Sequence, residues 1–143
     1  KNVCHYDLSL ENILINDDVE VILDSNGKIK FCHDNINIKL CDFGLAEQFI
    51  SLSFESNKHC GKPNYKSPEC GMKDKYKSFN AKSNDIWCLG VCLFMILIGS
   101  SPFNKTNIKD PGFKMIINGQ IKKLLLSWNR LNYVNKDILD LLN

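Results

Sequence analysis

Several features that would assign this chain quickly are missing from it. Its 143 residues carry 18 Lys and Arg against 16 Asp and Glu, a formal charge of +2, and the lysines are spread among acids rather than gathered into a stripe. Composition therefore offers nothing to a nucleic-acid backbone. The 7 cysteines, at 4, 32, 41, 60, 70, 88 and 92, contain no CxxC pair, and an odd number cannot all pair within the chain. Reduced thiols in an intracellular protein are the expectation. Cys32 with His33, and His59 with Cys60, lack the C-x2-4-C or H-x3-5-H spacing of structural zinc. Nothing resembles a signal peptide or other targeting signal. The apolar run IWCLGVCLFMILI at 86–98 reaches only about 20 Å as a helix, too short for a membrane span. Asp85 before it, and Gly99 and Pro102 after it, read as helix entry and exit, and a helix apolar all round reads as a buried central helix.

Chemistry is concentrated in two short segments, HYDLSLEN at 5–12 and DFG at 42–44. Together they hold a possible proton acceptor, Asp7, and two possible hard-metal ligands, Asn12 and Asp42. A carboxylate can accept a proton, an amide oxygen is a neutral hard ligand, and a second carboxylate neutralises charge on a bridging Mg2+. Five positions separate Asp7 from Asn12, enough for a loop to turn both toward one phosphate. That is the chemistry of phosphoryl transfer. Between the segments, ILIN at 13–16, VEVIL at 19–23, KIKFC at 28–32 and NIKLC at 37–41 alternate as strands, and Asn26-Gly27 is a hairpin turn signal.

These segments resemble those of eukaryotic protein kinases, whose catalytic loop reads H-R-D-L-x-x-x-N and whose metal loop reads D-F-G. Two further resemblances follow in order: GKPNYKSPE at 61–69 is similar to the segment ending Ala-Pro-Glu, and DIWCLG at 85–90 to the Asp-x-Trp-x-x-Gly helix. SPF at 101–103 and GFKMIINGQ at 112–120 resemble the family's later helical region. The resemblance implies an α+β fold, a mostly helical C-terminal lobe with short β-hairpins around the catalytic and metal loops. It implies ATP and Mg2+ as cofactors and a protein serine or threonine hydroxyl as acceptor. Asp7 would be catalytic, and Asn12 and Asp42 would hold the metal. His5 and Phe43 would be packing parts, and Asp85 would anchor the catalytic loop. No Gly-rich loop, phosphate lysine, helix glutamate or adenine hinge is present, so residues 1–143 read as a partial kinase domain that works with the N-lobe of its parent chain. A self-contained domain of this length would bury about 70% of its unfolded surface. This chain, lacking the helix that the family packs before the catalytic loop, is expected to expose apolar surface, to associate, and to be inactive alone. Residues 17–35 read as an inserted hairpin, either a tolerated surface insertion or a docking element beside the site.

The chain departs from the family pattern at three places. Tyr6 stands where many members place an arginine that grips an activation-loop phosphate, and a phenol cannot make that bidentate contact. Ser51, Ser53 and Ser56 are possible phosphorylation sites, yet constitutive readiness is the expectation. Ser9 stands where a lysine usually contacts the transferred phosphate, and Lys62 where a threonine is usual; Lys62 is expected to restore the missing cation at the nucleotide phosphate. Glu11 leaves two readings open, a preference for arginine before the target or a purely structural part. Glu69 lacks the late arginine that usually pairs with it, and Cys41, directly before DFG, would lie near the nucleotide. DLSLENIL, GKPNYKSPE and the abundance of Asn, Ile and Lys resemble the divergent FIKK kinases of protozoan parasites. A pseudokinase scaffold that keeps the fold without turnover is the alternative, and a small-molecule kinase would not carry SPE and DIWCLG in order.

Overall fold

The computed structural model describes residues 2–15, 21–23, 25–26, 29–31, 37–50 and 52–142. The chain begins with β1 (Val3–Cys4), a 3-10 turn at Leu10–Asn12, β2 (Ile13–Ile15), β3 (Val21–Leu23), β4 (Ile29–Phe31) and β5 (Ile38–Leu40). A 3-10 turn at Phe43–Leu45, β6 (Glu47–Gln48), β7 (Glu55–Ser56), α1 (Pro68–Gly71) and β8 (Phe79–Asn80) follow. The remainder is helical: α2 (Ala81–Ile98), α3 (Pro111–Ile117), α4 (Ile121–Ser127), a 3-10 turn at Leu131–Tyr133 and α5 (Lys136–Leu142). The fold is α+β, as expected.

All the described strand pairs are antiparallel and two-stranded: β1 with β6, β2 with β5, β3 with β4, and β7 with β8. The β3–β4 pairing closes at Leu23↔Ile29. The hairpin signalled at Asn26-Gly27 is thus formed, with Ser25 and Asn26 in a turn between the two strands; 24, 27 and 28 lie outside the described residues. Residues 16–20 and 32–36, which hold most of the flanks of the expected 17–35 insertion together with Cys32 and His33, lie outside them too.

Helix α2 organises the core. Asn80 caps it, its side-chain oxygen accepting from Ser83 N at 3.0 Å, and Gly99 ends it in the left-handed conformation (φ 74) with its N–H donating to Met95 O at 2.8 Å. One stretch of α2, Cys88, Val91 and Cys92, packs with Leu8, Tyr65, Phe103 and Phe113. Ala81 joins Cys4, Tyr6, Cys70 and Phe79, while Phe94 and Ile98 join Ile121, Leu124 and Leu125. Three clusters thus share one helix, and burying a Leu, Val or Phe side chain in them contributes about 1.5–3 kcal/mol each.

Three expectations about this helix need correction. It starts at Ala81, so Asp85 sits one turn inside rather than at its entry. Asn80, polar and extended, provides the cap that Asp85 was expected to signal. The helix is 18 residues long, so length and composition alone would let it cross a membrane, contrary to the shorter reach read from 86–98. Its packing into all three clusters uses it as a core helix instead. Finally, it is not buried all round: Ile86, Leu89 and Ile96 are 62%, 42% and 66% exposed along one side. The β2–β5 ribbon likewise exposes Leu14, Ile15, Ile38 and Leu40.

Candidate active site

The site is built by anchoring residues 5–12 from below and bringing two further segments to it. Asp85, on the second turn of α2, accepts from His5 N at 2.6 Å (Oδ2) and from Tyr6 N at 3.0 Å (Oδ1). Turning both amides onto one carboxylate requires a left-handed residue, and Tyr6 has φ 67. Such a conformation costs a non-glycine residue roughly 1–2 kcal/mol; successive N–H groups facing one side form an anion-binding concavity that offsets it. Burial pushes the Asp85 carboxyl above the ordinary range, with the two amide bonds pulling the other way.

His5 ties the loop to the metal-loop candidate. Its Nδ1 accepts from Asp7 N at 3.3 Å and its Nε2 donates to Cys41 O at 3.0 Å, an assignment that requires the Nε2–H tautomer. Its ring lies 4.8 Å, centroid to centroid, from that of Phe43. Both ring nitrogens are occupied in packing the site, which matches the structural part expected for His5 and Phe43.

The two oxygens of Asp7 differ. Oδ2 accepts from Asn12 Nδ2 at 3.3 Å and lies 3.8 Å from Lys62 Nζ. Oδ1 is buried with no hydrogen-bond partner among the described residues. Leaving a buried acceptor unpaired costs about 1–3 kcal/mol, so this atom is where an incoming hydroxyl would gain most. Asn12 Nδ2 also donates to Asp7 O at 2.7 Å. With its NH2 group turned to the loop, the amide oxygen is left as the atom suited to a hard cation.

Pairing of β2 with β5 brings the second segment in, and Cys41 N donates to Asn12 O at 3.0 Å. Asp42, next in the chain, is left-handed (φ 59) and accepts from Gly44 N at 3.4 Å, capping the turn Phe43–Leu45. An amide oxygen and a carboxylate at neighbouring strand ends are the donors that Mg2+ takes, with phosphate and water completing its shell. These residues fit the ion.

Lys62 arrives from the third segment. Its Nζ donates to Ser9 Oγ at 2.6 Å and lies 3.4 Å from Glu11 Oε2. Gly61 makes this approach possible: at φ 90, a Cβ there would fall 2.4 Å from Tyr6 O. Tyr65 Oη accepts from Leu10 N at 3.4 Å, a second tie between the segment and the loop. The Glu11 carboxyl is held below the usual range, first by its own backbone amide, with the Ser9 hydroxyl and Lys62 adding to it against partial burial.

All four predicted site residues, Asp7, Asn12, Asp42 and Lys62, therefore converge on one region. Sequence reasoning missed what surrounds Tyr6. Its buried hydroxyl donates to Glu47 Oε2 at 3.2 Å, and Lys58 Nζ sits 5.1 Å from its ring centroid while donating to Leu45 O at 2.6 Å. Neither Glu47 nor Lys58 belongs to a motif; the one available signal was Tyr6 itself, an aromatic where the family pattern has an arginine.

The chain is similar in sequence to several known proteins. Serine/threonine-protein kinase 33 of Bos taurus is 31% identical over 140 residues, covering 97% of this chain and 26% of that protein. Serine/threonine-protein kinase PLK4 of Xenopus laevis is 32% identical over 118 residues, covering 80% of this chain and 10% of that protein. The PLK4 of Nematostella vectensis matches to the same extent. The chain thus spans about a quarter or less of these relatives' length. The family model described as protein kinase domain matches residues 1–143, and the chain belongs to the protein kinase domain family.

Proposed function

We propose that the chain is the C-terminal lobe of an ATP-dependent protein kinase that transfers the γ-phosphoryl group to a serine or threonine hydroxyl. The observation that carries the proposal is Asp7, with one oxygen engaged by Asn12 and facing Lys62 and the other buried and unpaired. Asp7 Oδ1 accepts or orients the proton of the acceptor hydroxyl. Asn12 and Asp42 hold Mg2+, which, when bound, neutralises charge on the nucleotide phosphates. Lys62 supplies from the 61–69 segment the cation that Ser9 does not, and Ser9 Oγ positions its ammonium. Asp85 and His5 hold Asp7 in place without touching substrate.

The relatives' names, serine/threonine-protein kinases, support the acceptor class. Exposed Ile86, Leu89 and Ile96 on α2, with Leu14, Ile15, Ile38 and Leu40 on the β2–β5 ribbon, support the reading that further chain, including an N-lobe, covers these surfaces and completes the nucleotide cradle. The hairpin of β3 and β4 is read as an insertion within 17–35. The narrower likeness to FIKK kinases rests on DLSLENIL and GKPNYKSPE.

The test is phosphate transfer from labelled Mg-ATP to a serine/threonine peptide mixture by the full-length protein, beside Asp7→Asn and Asp42→Asn. Loss of transfer in both variants is expected. A folded wild-type protein that binds nucleotide and transfers nothing would replace this reading with that of a scaffold.

A further inference from the structure

Beyond the phosphate-handling residues lies a cleft that the proposed chemistry does not use. It has a volume of about 600 Å³ and is lined in part by His59, Lys66, Lys73, Asp74, Lys75 and Thr106. Its lining thus holds three lysines and one carboxylate, with Lys75 Nζ lying 5.0 Å from the Tyr76 ring centroid. Lys66 is half-buried. The ion pairs among the described residues are Lys62 with Asp7 and Lys62 with Glu11, so neither Lys66 nor Lys73 has an anionic partner among them. An ammonium held at a cleft wall without a counter-charge favours an incoming anion.

The cleft adjoins the site along the chain. Tyr65 N and Lys66 N both donate to Lys62 O, at 3.0 and 3.2 Å, making a tight turn whose first residue reaches Asp7 and whose last lines the cleft. Thr106 ties the 106–108 side of the cleft to this turn, its hydroxyl 3.0 Å from both Pro63 O and Lys66 O. Across the site Glu11, the acid that would draw an arginine, is already paired with Lys62 at 3.4 Å. The charge offered to a peptide leaving Asp7 over the 62–66 turn is therefore positive.

We infer that the cleft beside the 62–66 turn binds acidic residues flanking the acceptor hydroxyl, so that the protein selects acidic peptides rather than arginine-directed ones. This rests on the proposed kinase reading for the word acceptor, but the binding it describes does not require turnover.

The test uses the full-length protein and fluorescent peptides whose acceptor serine is replaced by alanine, with glutamate, arginine or neutral flanks, measured by anisotropy at about 0.15 M ionic strength. The glutamate peptide is expected to bind roughly tenfold or more tightly than the arginine peptide. The pair Lys66→Glu and Lys73→Glu is expected to reverse that order with an unchanged melting temperature, and Lys66→Arg to keep it. Preference of the wild type for arginine flanks, or glutamate-peptide binding unaffected by the double reversal, would overturn the inference. So would tighter binding of a single-stranded RNA oligomer at the same lysines. Should the serine-containing peptide bind in the expected order and yet receive no phosphate, the kinase reading fails and the acidic-peptide site stands.

Discussion

The Lys62 ammonium lies 2.6 Å from Ser9 Oγ and 3.8 Å from Asp7 Oδ2, so the cation nearest the candidate base comes from a segment more than fifty residues along the chain. Replacing Lys62 by alanine should lower kcat by about two to three orders of magnitude, the scale of removing one charge-stabilising donor, with a smaller effect on peptide KM. Steady-state kinetics of the full-length protein check this, and the exchange Ser9→Lys with Lys62→Thr should recover part of the loss. Unchanged turnover in Lys62→Ala would make it a solvated loop lysine.

Asp85 accepts two backbone donors of the catalytic loop. Asp85→Ala leaves both without their acceptor, at about 1–3 kcal/mol for each buried donor. Chemical denaturation should register that loss, and activity should fall with it because Asp7 follows immediately in the chain.

Tyr6 gives a signature at high pH. Burial first, and the neighbouring Glu47, raise its phenol from the ordinary 10.0 to about 12, with Ser56 acting in the opposite direction. Between roughly pH 10 and 12 the unfolded chain loses a proton that the native chain keeps. The stabilisation is thus complete below pH 10 and lost as pH rises through 12. Thiols such as Cys4 and Cys70, raised to about 11, add to the same slope, so the readout is the difference between wild type and Tyr6→Phe in denaturation midpoints across that range. The Phe variant should show the shallower decline, and at neutral pH should cost about 1 kcal/mol for the lost bond to Glu47.

The contacts of Tyr6 with Glu47 and Lys58 also bear on regulation, because they tie the segment after Phe43–Leu45 to the catalytic loop through a carboxylate already in the chain. Ser53→Ala and Ser56→Ala are expected to retain most activity, and phosphatase treatment of the wild type to change little. Large, phosphate-dependent losses would contradict constitutive readiness. Ser51 lies outside the described residues.

Much of the site was legible because its residues sit in short local motifs. Asp7 and Asn12 share one loop, and Asp42 follows a strand whose alternation could be read directly. The proximity of Lys62 to Ser9 was also accessible, because both depart from the pattern at positions expected beside Asp7. What could not be read were contacts set by packing at long range. Glu47 meets Tyr6 because β1 pairs with β6, a register of two residues that carries no periodicity signal, and Lys58 is held over the Tyr6 ring by its bond to Leu45 O. The start of α2 was misplaced for a related reason: Asp85 looks like a cap, but the actual cap is Asn80, and the residues between them, Ala81, Lys82, Ser83 and Asn84, show no apolar period. The exposed stripe of α2 was hidden because a sequence apolar on every side does not say which side has a neighbour.

The left-handed turn at Tyr6 has a consequence for the timing of local motions. It persists because one half-buried carboxylate holds two adjacent amides, and that carboxylate belongs to the helix shared by all three clusters. The His5 and Tyr6 amides should therefore exchange their hydrogens with solvent only as fast as the core itself opens, whereas segments held by surface contacts alone exchange sooner. Asp7 should inherit that slow clock from its two neighbours, which would make the candidate base one of the slower-moving parts of the chain.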